Sequence, residues 1–229
     1  TNNQDETLTQ YDGPTCDKIG LLKMDFLGLR TLTIMNKARE LVRQNHDLDI
    51  DPDQLPLDDE ATFALFAAGH TDGVFQFESG GMKDLLIKLR PSRIEDLIAA
   101  NALYRPGPMQ MIDDFITRKH TGDWPKVHPI IDAILEETYG IMVYQEQVMQ
   151  MANQLGGIEL SRAYRLIKAI GKKNEEIIAA EHEAFLVGAQ ERGISRDQAE
   201  ELFDLILRFA GYGFNKSHST RYAIVAYQT

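Results

Sequence analysis

The stretch Leu160-Ser-Arg162-Ala-Tyr-Arg165-Leu-Ile167-Lys168-Ala-Ile170-Gly-Lys172-Lys173 predicts the fold class of this chain. Placed on an α-helix at about 100° per residue, its apolar side chains fall in one arc and its cations in the complementary arc. The apolar arc comprises Leu160, Ala163, Leu166, Ile167 and Ile170, and the basic arc comprises Arg162, Arg165, Lys168, Lys172 and Lys173. We therefore expect a helix with one face in the protein core and the other face available to an anion.

The basic arc is open to two interpretations. Charged residues on a helix usually form a solvated face, but such faces mix both signs, and this arc contains no acid. Gly171 is expected to end the helix, which would leave Lys172 and Lys173 on a turn whose amides could also point at a phosphate. The pattern thus allows either a solvated surface or a binding site for a polyanion.

The same helical spacing recurs on both sides of this stretch. Two capping boxes, Ser92 with Glu95 and Ser195 with Gln198, predict helix starts, and Pro106-Gly107-Pro108 predicts a break. The expected helices cover residues 29–44, the segment after Ser79, the segment after Ser92, Met109 to Ile116, Tyr144 to Gly156-Gly157, and the segment after Ser195.

Three short segments have the pattern of strands. The run Gly20-Leu-Leu-Lys23-Met-Asp25-Phe-Leu-Gly28-Leu alternates in polarity, so Lys23 and Asp25 would share its polar face. Such an acid beside a lysine could be a metal ligand next to a phosphate-binding cation, or an exposed ion pair on a solvated face. The other two segments are Gly73-Val-Phe-Gln-Phe77 and Ile141-Met-Val143. We therefore expect a mainly α fold with a small β contribution.

Composition narrows the class of protein. A chain of 229 residues with 43% hydrophobic content is long enough to bury a core. Its net charge of -11 argues against a wholly basic nucleic-acid wrapper, so a polyanion should meet the basic arc. The single cysteine, Cys16, cannot form an internal disulfide, and no signal sequence or transmembrane-length apolar run is evident, so a reducing cytosol is the expected compartment.

The cluster Gly211-Tyr-Gly213-Phe-Asn-Lys216-Ser217-His218-Ser219 is rich in polar and aromatic side chains. It fails the Walker pattern, which requires glycine directly before the lysine. A ring could still stack on a base while the lysine contacts a phosphate, or the segment could be a glycine-rich turn that leads into a helix. The chain then stops within an apolar-patterned stretch, so we expect it to be part of a longer polypeptide.

Seven motifs in this sequence occur in the order found in the alpha subunits of bacterial DNA polymerase III, the C-family replicative polymerases. The chain resembles that family over about residues 9–229. The motifs are Thr9-Gln-Tyr-Asp, Lys23-Met-Asp25-Phe-Leu-Gly-Leu-Arg30-Thr-Leu-Thr, Val74-Phe-Gln-Phe-Glu-Ser79, Leu103-Tyr-Arg105-Pro-Gly-Pro108, Tyr139-Gly-Ile-Met-Val-Tyr-Gln-Glu-Gln147, Gly171-Lys-Lys173 and Phe209-Ala-Gly-Tyr-Gly-Phe-Asn-Lys-Ser-His-Ser219. The resemblance implies the C-terminal part of a palm at residues 1–45, with a palm-derived strand, followed by a helical fingers domain at residues 46–229 that is truncated at its C-terminal end.

The resemblance also implies a metal-dependent reaction. The family's Lys-x-Asp-x-Leu-Gly aspartate falls on Asp25, which is expected to be catalytic and to be one of three palm carboxylates that hold two Mg²⁺ ions. Two metals about 3.5 to 4 Å apart can activate a primer 3′-hydroxyl and stabilise the leaving pyrophosphate. The other two aspartates belong to a Pro-Asp-x-Asp motif that this chain lacks. We therefore expect Mg²⁺ in the intact active site, but neither metal binding nor polymerisation by this chain alone.

The basic arc and the resemblance together give the remaining site predictions. Many relatives carry two adjacent arginines where this chain has Ile167-Lys168, so only a point charge is expected there. The expected partners are primer-template DNA, dNTPs, the rest of the polymerase chain, and through it the sliding clamp and clamp loader, with a cytoplasmic, nucleoid-associated location and no membrane. Predicted nucleotide- or phosphate-binding residues are Lys23, Arg105, Lys168, Lys172, Lys173, Lys216, His218 and Ser219, and predicted nucleic-acid-binding residues are Arg162 and Arg165.

Two classes of function remain open. One is a fragment of a replicative polymerase, in which Asp25 carries part of the chemistry. The other is a non-catalytic helical module, for nucleic-acid binding or scaffolding, that has kept the polymerase pattern.

Overall fold

The computed structural model describes residues 8–22, 24 and 28–229. The chain divides into two compact units, Thr1–Ile50 and Asp51–Thr229. Most described residues lie in helices. Within the described ranges the only β pairing is an isolated parallel bridge between Tyr144 and Phe214. The mainly α prediction is thus confirmed. None of the described helices is long and apolar enough to cross a membrane.

The predicted strand at Gly73–Phe77 is wrong. The segment instead forms consecutive turns, in which Phe77 N donates to Val74 O and Gln76 has a φ of 65°. The hydroxyl of Thr71 donates to the Phe77 carbonyl at 2.6 Å, which curls the segment and buries the Phe77 ring. The alternating pattern did not produce a strand here because the carbonyl of Phe77 is bound locally and not to a neighbouring strand.

The other two strand predictions also lack support. Ile141–Val143 is not in a strand. It lies in the connection between a 3₁₀ turn at Glu136–Thr138 and the helix that begins at Gln145. The next residue, Tyr144, forms the isolated bridge. In the opening segment, Lys23 and residues 25–27 lie outside the described residues. The described positions of that segment are not in a strand, and they are Gly20, Leu21, Leu22, Met24, Gly28 and Leu29.

The first unit contains two described helices, α1 (Gly13–Lys18) and α2 (Thr31–His46). The Asp12 side chain caps α1 by accepting from Thr15 N at 3.1 Å. Helix α2 begins two residues later than predicted from periodicity and ends where Asp47 adopts a left-handed conformation. No residue of either helix is buried within the described part of the chain.

The second unit is built from ten helices among the residues that the structure describes. They form two hydrophobic cores. The helices are α3 (Glu60–Ala67), α4 (Gly80–Leu89), α5 (Ile94–Leu103), α6 (Ile112–Thr121), α7 (Pro129–Ile134), α8 (Gln145–Gly156), α9 (Leu160–Lys172), α10 (Glu175–Glu191), α11 (Arg196–Ala210) and α12 (Lys216–Gln228). Three 3₁₀ turns, Pro52–Gln54, Pro108–Met111 and Glu136–Thr138, complete the connections.

Each core collects the buried faces of five helices. The first core contains buried residues of α3 to α6 and α12, including Phe66, Leu97 and Ala223. The second contains buried residues of α7 to α11, including Met151 and Phe203. Burying these apolar side chains provides the main stabilisation of both groups of helices.

The two predicted capping boxes have different outcomes. At α11 the predicted helix start is confirmed, because Gln198 N donates to the N-cap Ser195 Oγ at 3.4 Å. The reciprocal bond of a capping box is not formed there, because Gln198 Oε1 accepts from the Ser195 hydroxyl at 3.2 Å and not from Ser195 N. At α5 the predicted box is wrong. There Ser92 N donates to Asp96 Oδ2 at 2.9 Å, and Glu95 is not used. Asp96 is buried, and its Oδ2 lies 3.5 Å from Nζ of Lys119 on α6. This contact between helices explains why Asp96, and not Glu95, accepts the hydrogen bond from Ser92 N.

Helices α8 and α10 cross with their backbones in direct contact. A Cβ atom added to Gly188 would lie 1.9 Å from the carbonyl oxygen of Gly156, and one added to Gly156 would lie 2.2 Å from the ring of Phe185. Only glycine fits at these positions, because the atoms opposite Gly188 are backbone and cannot move aside as a flexible side chain would. The second core therefore depends on two glycines that the sequence places inside helices.

We expect Gly188→Ala to destabilise the second unit by at least about 3 kcal/mol, because the added methyl group forces α8 and α10 apart. Gly171→Ala is the matched control, since a Cβ atom at Gly171 in α9 would meet nothing within 4 Å. This control should stabilise the chain by about 0.5 to 1 kcal/mol through helix propensity. Denaturant unfolding of both variants checks the prediction, and equal effects at the two sites would contradict it.

Candidate nucleotide and nucleic-acid interface

The amphipathic character predicted for α9 is confirmed in the structure. Ala163, Leu166 and Ile167 are buried in the second core, whereas Arg165 and Lys168 on the opposite side are exposed. Two details differ from the prediction. Leu160, assigned to the apolar arc, is exposed, and the helix continues through Gly171 to end at Lys172. Since Ile167 faces the core, Lys168 is the exposed member of the Ile167-Lys168 pair.

Four cations form what we call the free basic face. They are exposed and have no ion-pair partner among the described residues, and they are Arg165, Lys168, Lys172 and Lys173. Lys168 Nζ lies 5.1 Å from the ring centre of Tyr164, and Lys173, directly after α9, has a left-handed φ of 54°. The face therefore offers a concentration of positive charge that no described acid neutralises.

Arg162 differs from the other predicted cations. Its Nε and Nη2 atoms donate to the two carboxylate oxygens of Glu181 at 3.1 and 2.8 Å. Glu181 lies on α10 and is buried, so this two-pronged contact fixes α9 against α10. A structural contact thus already uses the guanidinium of Arg162, and its nucleic-acid role stays a prediction.

The start of α12 carries the second group of predicted residues. The Asn215 side chain caps the helix by accepting from His218 N at 2.8 Å. The Glu146 carboxylate accepts from Asn215 Nδ2 at 3.0 Å and from Lys216 N at 2.9 Å. A carboxylate of the chain itself therefore occupies the anion-binding position at this helix N-terminus.

The side chain of Lys216 is paired within the protein. Its Nζ lies 2.6 Å from Glu137 Oε2 and 5.4 Å from the ring centre of Tyr144. The exposed fractions of the two charged side chains are 36% for Lys216 and 32% for Glu137. The ammonium is thus half-buried, but solvent can reach the pair.

Aromatic rings and one guanidinium form a row along α12, which we call the ring row. Its neighbouring members are Phe75 and Tyr222, Tyr222 and His218, His218 and Phe214, and Phe214 and Arg105. Ring centres are 5.2, 4.4 and 5.5 Å apart for the first three pairs, and Arg105 Cζ lies 4.2 Å from the Phe214 ring centre. Because His218 is exposed and the other members are half-buried, the row presents ring edges and faces at the surface.

Two backbone carbonyls orient Arg105. Its Nε donates to Ala102 O at 2.7 Å and its Nη2 donates to Tyr212 O at 3.1 Å. Partial burial lowers the pKa of Arg105, although an arginine stays protonated at neutral pH. The guanidinium is therefore a pre-oriented cation at the end of the ring row.

Ser219 occupies a different environment from the other predicted residues. It is buried, and its hydroxyl donates to Ile98 O at 2.6 Å, which ties α12 to α5. The predicted phosphate contact of Ser219 stays a prediction that requires this hydrogen bond to break.

The predicted metal ligand Asp25 and the predicted phosphate ligand Lys23 lie outside the described residues. In the part of the chain that the structure describes, no group of three or more His, Cys, Asp or Glu side chains is arranged to hold a metal ion. The described residues therefore do not by themselves fit a magnesium site.

Sequence reasoning missed four contributors to this region. Tyr222 follows His218 by four residues, and this same-face spacing could have indicated the ring pair. Glu137, Glu146 and Phe75 gave no local signal, because the groups that they contact lie far away in the sequence.

Comparison with known proteins gives one consistent family. Residues 31–193 match the model of the bacterial DNA polymerase III alpha subunit finger domain. The chain is 48% identical over 228 residues to DNA polymerase III subunit alpha of Thermus aquaticus, covering 97% of this chain and 19% of that protein. It is 47% identical to the protein of the same name from Escherichia coli K12 over 234 residues, covering 97% and 20%. The chain therefore spans about a fifth of the length of the curated relatives it matches.

We expect Glu146→Ala to destabilise the second unit by about 1.5 to 3 kcal/mol, because it removes a charged acceptor from two donors at the start of α12. Glu176→Ala is the matched control. Glu176 is also the second residue of its helix, is exposed, and has no ion-pair or hydrogen-bond partner among the described residues. Urea unfolding measures both variants, and a loss at Glu146 no larger than that at Glu176 would argue against the role of this contact.

Proposed function

The chain belongs to the bacterial DNA polymerase III alpha subunit finger domain family, and we propose that it acts within a longer polymerase chain in template-directed DNA synthesis. In this proposal the second unit binds the incoming dNTP and the primer-template. The free basic face carries the proposal, because four unopposed cations are clustered on α9 and the residue that follows it, in a chain whose net charge is -11. Clustered cations of this kind bind phosphates by releasing counterions.

The ring row supplies the second part of the proposal. We assign it to stacking on a nucleobase, with the neighbouring rings of His218 and Phe214 as the stacking surface nearest Arg105. Arg105 at one end of the row and Lys216, two residues after Phe214, would bind phosphate groups of the same nucleotide. Arginine contributes a planar fork and lysine a point charge, so the two cations would make different contacts.

Magnesium chemistry remains a proposal that depends on the resemblance. Asp25 would be one Mg²⁺ ligand, and the remaining carboxylates would come from outside this chain. When bound, such ions supply Lewis acidity to phosphoryl transfer. The described residues would bind and orient the nucleotide and the DNA.

Replacing both Lys172 and Lys173 by alanine should weaken primer-template binding and flatten its dependence on salt. Each lost phosphate contact reduces the slope of log K against log salt by about 0.9, so the double variant should lose up to about 1.8. The measurement is fluorescence anisotropy of labelled primer-template with the intact parent chain, from low to physiological salt. A double variant at Lys37 and Lys88, on other helices, is the control, and an equal change of slope in that control would refute a specific basic face.

The substitution Asp25→Asn in the parent chain separates the two classes of function. If Asp25 holds a catalytic metal ion, primer extension should fall at least about a hundredfold, since even outer-shell substitutions at metal sites cost about 10- to 100-fold. Folding and DNA affinity should change little. Asp17→Asn, at an exposed acid of α1, is the control. Normal extension by Asp25→Asn would favour the non-catalytic module, and template-dependent extension by the purified 229-residue chain would contradict the expected inactivity.

A further inference from the structure

The ion pair between Glu137 and Lys216 joins two distant parts of the second unit. Glu137 lies in the 3₁₀ turn before α8, and Lys216 is the first residue of α12. The 2.6 Å contact brings together residues 79 positions apart. The only side-chain acceptor of the Lys216 ammonium within the described ranges is therefore a carboxylate of the same chain.

The Glu137 carboxylate is incompletely satisfied, which distinguishes it from Glu146 and Glu181, the other two acids that contact predicted binding residues or their backbone. Both oxygens of Glu146 and both oxygens of Glu181 accept hydrogen bonds. In Glu137, Oε2 contacts Lys216, whereas Oε1 is buried and has no hydrogen-bond partner among the described residues. A carboxylate with one unsatisfied buried oxygen is a poor permanent partner, because desolvation of that oxygen offsets the gain from the pair.

The surroundings of Glu137 provide an alternative position for its side chain. A cavity of about 720 Å³ lies beside it, lined also by Arg93, Glu136, Tyr139 and Gln150. Arg93 Nη2 donates to the backbone carbonyl of Glu137 at 2.9 Å. The Arg93 guanidinium therefore lies close to the backbone of Glu137. A side chain that leaves Lys216 can therefore turn into open space near another cation.

We propose that Glu137 is an internal counter-anion of Lys216, which a phosphate group of the nucleotide displaces on binding. This inference rests on the proposed role of Lys216 as a phosphate ligand. In the ligand-free molecule the carboxylate neutralises the ammonium. On binding, phosphate oxygens take the ammonium and the Glu137 side chain moves toward the cavity.

The proposal predicts that removing the carboxylate strengthens nucleotide binding. Glu137→Gln keeps the shape of the side chain but removes its charge, so phosphate no longer competes with an ion pair. Half-exposed ion pairs contribute modestly, and the dissociation constant for a nucleotide should therefore fall about two- to fivefold. If Glu137 instead holds Lys216 in its binding position, the same substitution should weaken binding.

Glu136→Gln is the matched control for this experiment. Glu136 is the adjacent residue, is exposed and has no ion-pair partner among the described residues, and its replacement changes the net charge by the same amount. Any general electrostatic effect on an anionic ligand should be similar in both variants. An effect that comes from competition for Lys216 should appear in Glu137→Gln and not in Glu136→Gln.

The test uses the intact polymerase chain that carries this sequence, in complex with primer-template, and dATP with Mg²⁺ as the probe. The dissociation constant is measured by single-turnover incorporation for the parent, Glu137→Gln, Glu136→Gln, Lys216→Met, and the Glu137→Gln/Lys216→Met pair. We expect Glu137→Gln to bind dATP more tightly than both the parent and Glu136→Gln, and this gain to vanish in the Lys216→Met background. Glu137→Ala should act in the same direction, and thermal melting verifies that each variant is folded.

Two different failures can be told apart. If Lys216→Met weakens dATP binding but Glu137→Gln behaves as Glu136→Gln does, or binds less tightly, the counter-anion role is wrong while the phosphate role of Lys216 stands. If Lys216→Met leaves dATP binding unchanged, the proposed phosphate role of Lys216 is wrong, and the counter-anion role falls with it.

Discussion

The short backbone pairing between Phe214 and the start of α8 is the contact on which the candidate interface depends. Phe214 N donates to Val143 O at 3.0 Å, and Gln145 N donates to Phe214 O at 2.9 Å. Glu146 then extends the contact to the first turn of α12 through the donors of Asn215 and Lys216. Phe214 packs on the first core, whereas α8 contributes buried residues to the second core. These few hydrogen bonds therefore connect the two cores to each other.

The predicted cations of α9 and α12 fall into two groups. In one group, carboxylates of the chain already neutralise the cation, as Glu181 does for Arg162 and Glu137 does for Lys216. These contacts link elements that are distant in sequence and restrict where each cation can point. The other group is the free basic face, which is open to solvent. Net charge is therefore a poor guide to this chain, because some of its acids already pair with cations of the chain, and four cations without such partners are clustered at α9.

A helical domain is suited to the proposed nucleotide contacts because its side chains are held by rigid elements. His218 and Tyr222 are one turn apart on α12, and Ser219 ties the same helix to α5 through the Ile98 carbonyl. Arg105 follows α5 and is oriented by two carbonyls, one of them from the segment that precedes α12. The ring row is thus positioned by the first core, and its geometry follows from the packing of α5 against α12.

The sequence by itself determined most of the longer helices, the sidedness of α9 and the family, because periodicity, caps and motifs are encoded by residues close together in the chain. The short helices α1, α3 and α7 were not predicted, because their few apolar positions do not make a clear helical stripe. Tertiary structure alone decided that Gly73–Phe77 curls into turns, that Asp96 replaces the predicted capping box, and that Gly156 meets Gly188. It also decided that Glu137 reaches Lys216 across 79 positions. Local patterns cannot specify such pairings, because each depends on where the packing of apolar faces places two remote segments.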